Sequence, residues 1–373
     1  MELRPFRIER YYARYEFSTR YMLSSSDCES RTIAELLKLE PGAQERLLNT
    51  WCGYTESPGS LELREAIAAR YTEIEPDDVI VTSSAEEGIF LLNHALLRAG
   101  DHAVVETPCY ESAIEVARST GATVSAWERH FEDGWGHDVD ALERLLGPRT
   151  RLLYVNQPHN PTGTLMDRAT FERVVSIASE RGITVFSDEV YRELEHDPRD
   201  RLPAACDLDP GAISLGSISK SYGLPGLRLG WLVTRHAPLR ESVLRLKDYT
   251  TICSSAPSEV LTAIALRNRD ILLDRNHAIV RRNLPLLDRF FERHAERLQW
   301  VRPTASPIGF PRVSGVEDVD GFCGRLAATG VLLLPGSVYD RPAHVRIGYG
   351  RANLPDALQL LDDSLADRAQ PAR

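Results

Sequence analysis

The feature that most constrains this chain is a recurrence. Short runs of β-branched and apolar residues end in polar ones and are followed by stretches of helical periodicity. Residues 78–83, 103–106, 123–128, 151–156, 183–187 and 212–215 are such runs, and residues 85–97, 111–121, 138–146 and 168–181 read as the helices between them. Strands alternating with helices in this way fold as an open, mostly parallel sheet. Ligands of such sheets lie beyond the carboxyl ends of the strands, so the residues that follow each run are where chemistry is expected.

One of these ends is unusually dense. Residues 217–230, SISKSYGLPGLRLG, are too rich in Gly, Ser and Pro for a helix interior. They hold Lys220 among hydroxyls, with Arg228 eight residues on. Apolar surroundings and a neighbouring cation both favour a neutral amine, which is the form that attacks an aldehyde. Two upstream ends match it in character: Asn156 runs into Gln157-Pro158-His159-Asn160-Pro161-Thr162-Gly163-Thr164, and Ser187 runs into Asp188-Glu189-Val190-Tyr191.

Taken together, Asn160-Pro161-Thr162-Gly163, Asp188 with Tyr191, Ser217-x-x-Lys220, Arg228 and the late Arg346 resemble the pyridoxal 5′-phosphate (PLP) enzymes of fold type I, in the class I/II aminotransferase superfamily. Order and spacing agree over residues 50–350. The resemblance implies an α/β fold: a large domain with a mostly parallel central sheet flanked by helices, and a small α+β domain. The expected division is an N-terminal arm and helix at 1–48 that joins the small domain and covers the site, a large PLP-binding domain at 49–285, and a small domain at 286–373. The stretch 284–290, containing Pro285, reads as the linker.

The same resemblance assigns roles. Lys220 is the covalent anchor and proton carrier, Asp188 keeps the pyridine nitrogen protonated, and Tyr191 and Asn160 donate to the phenolic oxygen. The helix start at Ser84, Ala85 and Glu86 offers a hydroxyl and free amides to the phosphate, joined by Ser217 and Arg228. Tyr110 lies on the pyridine face, and Tyr54 reaches the phosphate of a neighbouring subunit, which requires a homodimer with shared active sites. Arg346, within an apolar strand, takes the substrate α-carboxylate.

Composition narrows the partners. A net charge of −10 offers nothing to nucleic acid or to an anionic membrane surface. No stretch approaches the roughly 20 apolar residues of a membrane span, and the charged, aromatic start lacks a signal-peptide core, so a cytoplasmic location is expected. The six cysteines form no CxxC pair and read as free, mostly buried thiols, so no metal is expected.

The N-terminal region carries a finer resemblance. Residues 6–17 form an aromatic amphipathic segment with Glu9 and Glu16 on its polar part, suited to closing over a cleft or packing on a partner subunit. Then comes Ser24-Ser25-Ser26-Asp27-Cys28-Glu29-Ser30, where aminotransferases of this class carry a glycine-containing loop. This serine loop, the aromatic start and the Ser-x-Ser-Lys-x-Tyr-Gly-Leu-Pro-Gly-Leu-Arg segment resemble the PLP cyclases that form capreomycidine and enduracididine for peptide-type natural products. Those enzymes dehydrate a hydroxy-L-arginine and close the guanidine onto its side chain. A guanidinium is recognised by carboxylates, here Glu9, Glu16, Asp27 or Glu29, with Ser25 beside them. The expected activity is dehydration and cyclisation of a β- or γ-hydroxy-L-arginine, ring size left open. The alternative is an aminotransferase moving the amino group of an L-amino acid to a 2-keto acid. A ligand-sensing domain of a transcription regulator is disfavoured by the negative charge and the full Lys, Asp and Arg set.

Overall fold

The computed structural model describes residues 2–366. Its centre is a seven-stranded sheet of β1 (Val79–Thr82), β2 (His102–Thr107), β3 (Thr123–Glu128), β4 (Thr150–Asn156), β5 (Thr184–Asp188), β6 (Ile213–Ser217) and β7 (Gly230–Val233). The strand order is β1-β7-β6-β5-β4-β2-β3, and the five strands from β6 to β3 are parallel. Only β7 runs against its neighbours, because it returns from β6 through the lysine loop rather than through a crossover helix. β1, β6 and β7 are buried along their whole length, as strands covered on both faces are.

Register decides what meets at the strand ends. Asn156 lies opposite Asp188, and Ser217 and Thr82 both lie opposite Gly230. Gly230 has to be glycine here: a Cβ would overlap the backbone of Ser84 and Ala85, which passes directly over the start of β7.

The smaller part of the chain holds a three-stranded antiparallel sheet of β9 (Ile308–Gly309), β11 (Leu334–Pro335) and β12 (Val345–Gly348), with β8 (Leu298–Gln299) and β10 (Arg312–Val313) paired beside it. The N-terminal helix α1 (Arg7–Tyr15) packs onto this part, its buried Ile8 in one apolar cluster with Phe310, Leu334, Val338 and Tyr339.

One local expectation changes. No linker stands at 284–290, because the helix Arg269–Arg293 runs unbroken through Pro285, so the 285/286 boundary falls inside a helix that serves both parts. The helix Leu61–Ala68 starts without a side-chain cap, the Glu259 carboxylate accepting from the Ser60 amide at 2.9 Å. The helix Ile33–Leu37 opens with a Thr32 to Glu35 capping box. Among the described residues no helix is long and apolar enough to cross a membrane.

Candidate active site

A cavity of about 570 Å³ lies where the carboxyl ends of β4, β5 and β6 face α1 and β12, within the size range of small-molecule sites. It is lined by Lys220, Asp188, Tyr191, Asn160, Ser217, Arg228, Ser84, Ala85, Glu86, Tyr110, Arg346, Glu9, Ser25 and Asp27. All but two of the residues singled out from the sequence are therefore in one place. A second cavity, of about 490 Å³ against Trp127 and His137, shares no lining residue with it.

The floor is tied by neighbouring strands. Asn156 donates to the Asp188 carbonyl at 2.8 Å and accepts from the Asn160 amide nitrogen at 2.7 Å, which seats the turn after β4 on the end of β5. Tyr154 donates to one Asp188 carboxylate oxygen at 2.8 Å and the Val190 amide to the other at 3.2 Å. Burial pushes the Asp188 carboxyl up to about 6, with these hydrogen bonds pulling the other way. A cation beside this carboxylate would hold it ionised. The Asn160 side-chain oxygen accepts from Arg346 and Tyr339, leaving its NH2 group as the donor for a ligand. The buried Tyr191 hydroxyl has no hydrogen-bond partner of good geometry.

Lys220 Nζ donates to Ser26 Oγ at 2.8 Å. Burial lowers its pKa, Asp27 opposes that, and Arg346 reinforces it. The amine is thus biased toward its reactive form, but the neighbouring cation responsible is Arg346 rather than the Arg228 of the same loop.

At the other end, Ser84 opens the helix Ala85–Leu96 with φ 151°, a backbone region that non-glycine residues rarely occupy. The two acids of this first turn diverge. The Glu87 carboxylate accepts from the Ser83 amide at 2.6 Å and from the Thr250 and Thr251 hydroxyls at 2.8 and 2.7 Å, while Glu86 accepts from Ser112 at 3.2 Å and lines the cavity. Burial raises the Glu86 carboxyl to about 7. Ser217 Oγ accepts from the Ser219 amide at 3.0 Å. Arg228, in a left-handed conformation, donates to the Pro225 carbonyl at 2.9 Å and pairs with no carboxylate among the described residues.

The cover comes from distant segments. Arg346 is 2% exposed, and its guanidinium reaches only neutral oxygens: Asn160 at 3.1 Å, Tyr12 at 2.7 Å, the Ser24 carbonyl at 2.8 Å, and Tyr339. Tyr110 donates to Glu9 at 2.7 Å, and burial raises the Tyr110 hydroxyl well above its ordinary value. Asp27 is held by Arg351 at 3.1 Å, which also donates to Ser25 at 3.1 Å. Glu9, Glu16 and Glu86 pair with no cation among the described residues. Burial raises the Glu16 carboxyl, with Glu9 and Asp27 adding to it.

Two expected residues lie elsewhere. Glu29 is outside the cavity, 3.9 Å from Arg275 and accepting from the Ala352 amide, partners that hold its side chain on the far side of the loop's backbone contact with Gly350. Tyr54 is 80% exposed and outside the cavity of its own chain. Four lining or supporting residues escaped the sequence reading: Tyr12, Ser26, Arg351 and Tyr339. Tyr12 had a signal, since positions 9, 12 and 16 share one helical face; Arg351 and Tyr339 had none.

The donor set fits PLP. It combines an acid at a strand end, a lysine biased toward the neutral amine, a buried hydroxyl in want of a partner, and free amides, serines and an unpaired arginine at a helix start. Comparison with known proteins agrees. A family model for aminotransferase class I and II matches residues 22–359. The chain is 32% identical over 363 residues to capreomycidine synthase of Streptomyces vinaceus, covering 96% of this chain and 92% of that protein. Among solved structures, a PLP-dependent aminotransferase from Streptococcus suis superposes with TM-score 0.93 at 30% identity, covering 100% of both chains. The PLP-dependent cyclase OrfR does so with TM-score 0.90 at 28% identity, covering 99% of this chain and 98% of that one. Further relatives are named as aminotransferases of aspartate, prephenate, N-succinyldiaminopimelate or arginine.

Proposed function

The chain belongs to the class I and II aminotransferase family, it is a PLP-dependent enzyme acting on an amino acid, and from that premise we propose that its substrate is a hydroxy-L-arginine, which it dehydrates and cyclises. The observation that carries the substrate class is the set of carboxylates Glu9, Glu16 and Glu86, which line one cavity and form no ion pair among the described residues, with Arg351 and Lys220 acting on Glu16 and Arg228 on Glu86 only from a distance. Burial and mutual repulsion raise the Glu16 and Glu86 carboxyls, and a guanidinium among them relieves both costs. Asp27, held by Arg351, supports their arrangement rather than taking the substrate, and Glu29 has no part in it.

When bound, PLP supplies an aldehyde that captures the substrate amino group and a ring that draws electron density from Cα. Lys220 anchors the cofactor and, as a free amine, takes the proton from Cα. Asp188 keeps a proton on the ring nitrogen, while Asn160 Nδ2 and the Tyr191 hydroxyl donate to the phenolic oxygen. The Ser84 hydroxyl, the Ala85 and Glu86 amides, Ser217 and Arg228 hold the phosphate, and Tyr110 covers the ring. Arg346 holds the α-carboxylate, which gives this buried guanidinium the anion it lacks among the described residues. Tyr54 serves the site of a second subunit in a homodimer, a reading supported by its exposure next to exposed Trp51 and Leu48.

Dehydration and cyclisation are supported by the nearly full-length likeness to capreomycidine synthase and by a serine loop in contact with Lys220. Transamination of the same cationic substrate is the second reading, favoured by the number of relatives that bear aminotransferase names. Incubating purified enzyme with β- and γ-hydroxy-L-arginine in D2O separates them by mass spectrometry. A cyclic product of water loss is expected, carrying deuterium at Cα from the β-hydroxy substrate and at Cβ as well from the γ-hydroxy substrate. Keto acid with the pyridoxamine form of the cofactor as the only products overturns the cyclase reading in favour of transamination.

A further inference from the structure

The serine loop is clamped along its backbone. The Gly348 amide donates to the Leu23 carbonyl, Tyr12 and Arg346 both donate to the Ser24 carbonyl, at 2.9 and 2.8 Å, and the Glu29 amide donates to the Gly350 carbonyl at 2.8 Å. A Cβ at Gly348 would overlap the Ser25 carbonyl, so the loop crosses β12 at backbone contact. The three serines are thereby sent in different directions. Ser24 Oγ is buried without a partner, Ser25 Oγ accepts from Arg351, and Ser26 Oγ accepts from the reactive amine of Lys220.

Because the Lys220 nitrogen donates in this contact, the proton of Ser26 points away from the amine, toward the Tyr191 hydroxyl and the substrate cavity that Ser26 lines beside Glu16. A hydroxyl that touches both the lysine amine and the cavity can pass a proton between them.

We propose that Ser26 is a catalytic residue of the dehydration, relaying a proton from Lys220 to the hydroxyl that leaves the substrate side chain. The proposal rests on the dehydration reading above. For a β-hydroxyl the balance is closed. The Cα–H bond breaks and its electron pair becomes the Cα=Cβ bond as Cβ–O breaks. The Cα proton goes to Lys220, Lys220 returns a proton to Ser26 Oγ, and Ser26 gives its own to the departing oxygen, which leaves as water. No oxidant or reductant enters. Without Ser26 the proton on Lys220 has no route to the leaving group and remains available for transamination.

The test compares wild type, Ser26→Ala and Ser26→Thr as PLP-loaded and cofactor-free protein. Visible absorbance of the loaded variants checks that the cofactor site is intact. With β-hydroxy-L-arginine, Ser26→Ala is expected to lose about 10²-fold in cyclic product, the low end of general-acid contributions, with keto acid taking its share. Exchange of the α-proton of L-arginine in D2O is expected to change much less, and Ser26→Thr to recover most of the lost rate. In cofactor-free protein, the pH midpoint for labelling Lys220 with dinitrofluorobenzene should move down in Ser26→Ala, because the ammonium form loses an acceptor. Wild-type cyclisation by Ser26→Ala, an equal loss of α-exchange, or an unmoved labelling midpoint each overturns the relay. A wild type that makes only keto acid removes the dehydration reading itself, and that arm is read without any variant.

Discussion

The floor and the cover of the cavity are built in different ways. In the floor, partners are close in sequence and come from adjacent strands: Asn156 and Asp188 are 32 residues apart, Tyr154 and Asp188 34. In the cover, Arg346 meets Ser24 across 322 residues and Tyr12 across 334, through a helix, a loop and a strand that share no ladder. The charges differ as well. Asp188 is hydrogen-bonded by protein on both oxygens, whereas among the described residues Glu9, Glu16 and Glu86 form no ion pair and Arg346 has no anion. A floor whose acid is held from both sides, with Arg228 left without a carboxylate, suits a resident cofactor; a cover left with opposite, separated charges suits a substrate that carries a cationic end and a carboxylate.

The comparison can be broken most sharply at the floor. Lys220→Ala should lose at least about 10²-fold in turnover from the missing base alone, and should abolish the borohydride-trapped adduct on the fragment bearing residue 220. Trapping at another lysine would end the assignment. Asp188→Asn, which keeps the Tyr154 contact but removes the charge, should lose roughly 10- to 100-fold in kcat, from a charge-assisted hydrogen bond worth about 1.5–3 kcal/mol. An unchanged kcat would separate Asp188 from the ring nitrogen.

In the cover, Arg346→Lys should raise KM for every L-amino acid by about tenfold, through loss of one charge-assisted contact of ~1.5 kcal/mol. A KM effect confined to cationic substrates would contradict its role at the α-carboxylate. The mildest effect is expected at Glu9 and Glu16: each changed to Gln should lower the preference for arginine-type over neutral substrates by about 2- to 5-fold, since exposed ion pairs are worth only ~0.2–1 kcal/mol. No change in the double variant would assign guanidinium recognition elsewhere.

Acid sharpens the contrast between the two regions. A carboxyl whose pKa is higher in the folded than in the unfolded chain stabilises the fold below the unfolded value and loses that contribution as pH rises through the folded one. With Asp188 up to about 6 and Glu86 to about 7, the cofactor-free protein should gain stability from these two groups as pH falls from about 7.5 toward 5. Asp188→Asn and Glu86→Gln should flatten that rise in thermal unfolding followed against pH. Loading with PLP should remove the Asp188 part, since a cationic ring nitrogen draws that pKa back down.

Much of the floor was legible because a strand end is a local pattern. A β-branched run that stops at Asn156, Asp188 or Ser217 announces both the strand and the polar residue beyond it, and sheet register then brings the three together. Arg346 was legible for another reason, as an arginine inside an apolar strand. Ser26 was missed although its neighbours were noted, because which of three consecutive serines meets Lys220 depends on where the loop is clamped. Glu29 was misplaced, because an acid in a loop gives no sign of whether Arg275 or a ligand will reach it first; Asp27 does line the cavity, where Arg351 also holds it. Pro285 misled because a proline within one long helix looks locally like a break.

What the amino-acid order determined alone is the mostly parallel sheet and the polar groups at the ends of its strands. Those follow from short-range periodicity and backbone stereochemistry. Only the tertiary structure decided which acids stay without a cation, which serine touches the amine and which arginine tunes it. Those outcomes rest on groups more than 190 residues apart meeting in the folded chain, such as the Lys220 amine with the Ser26 hydroxyl and the Arg346 guanidinium with the Ser24 carbonyl. Which of them meet is settled by distance and burial once the chain is folded.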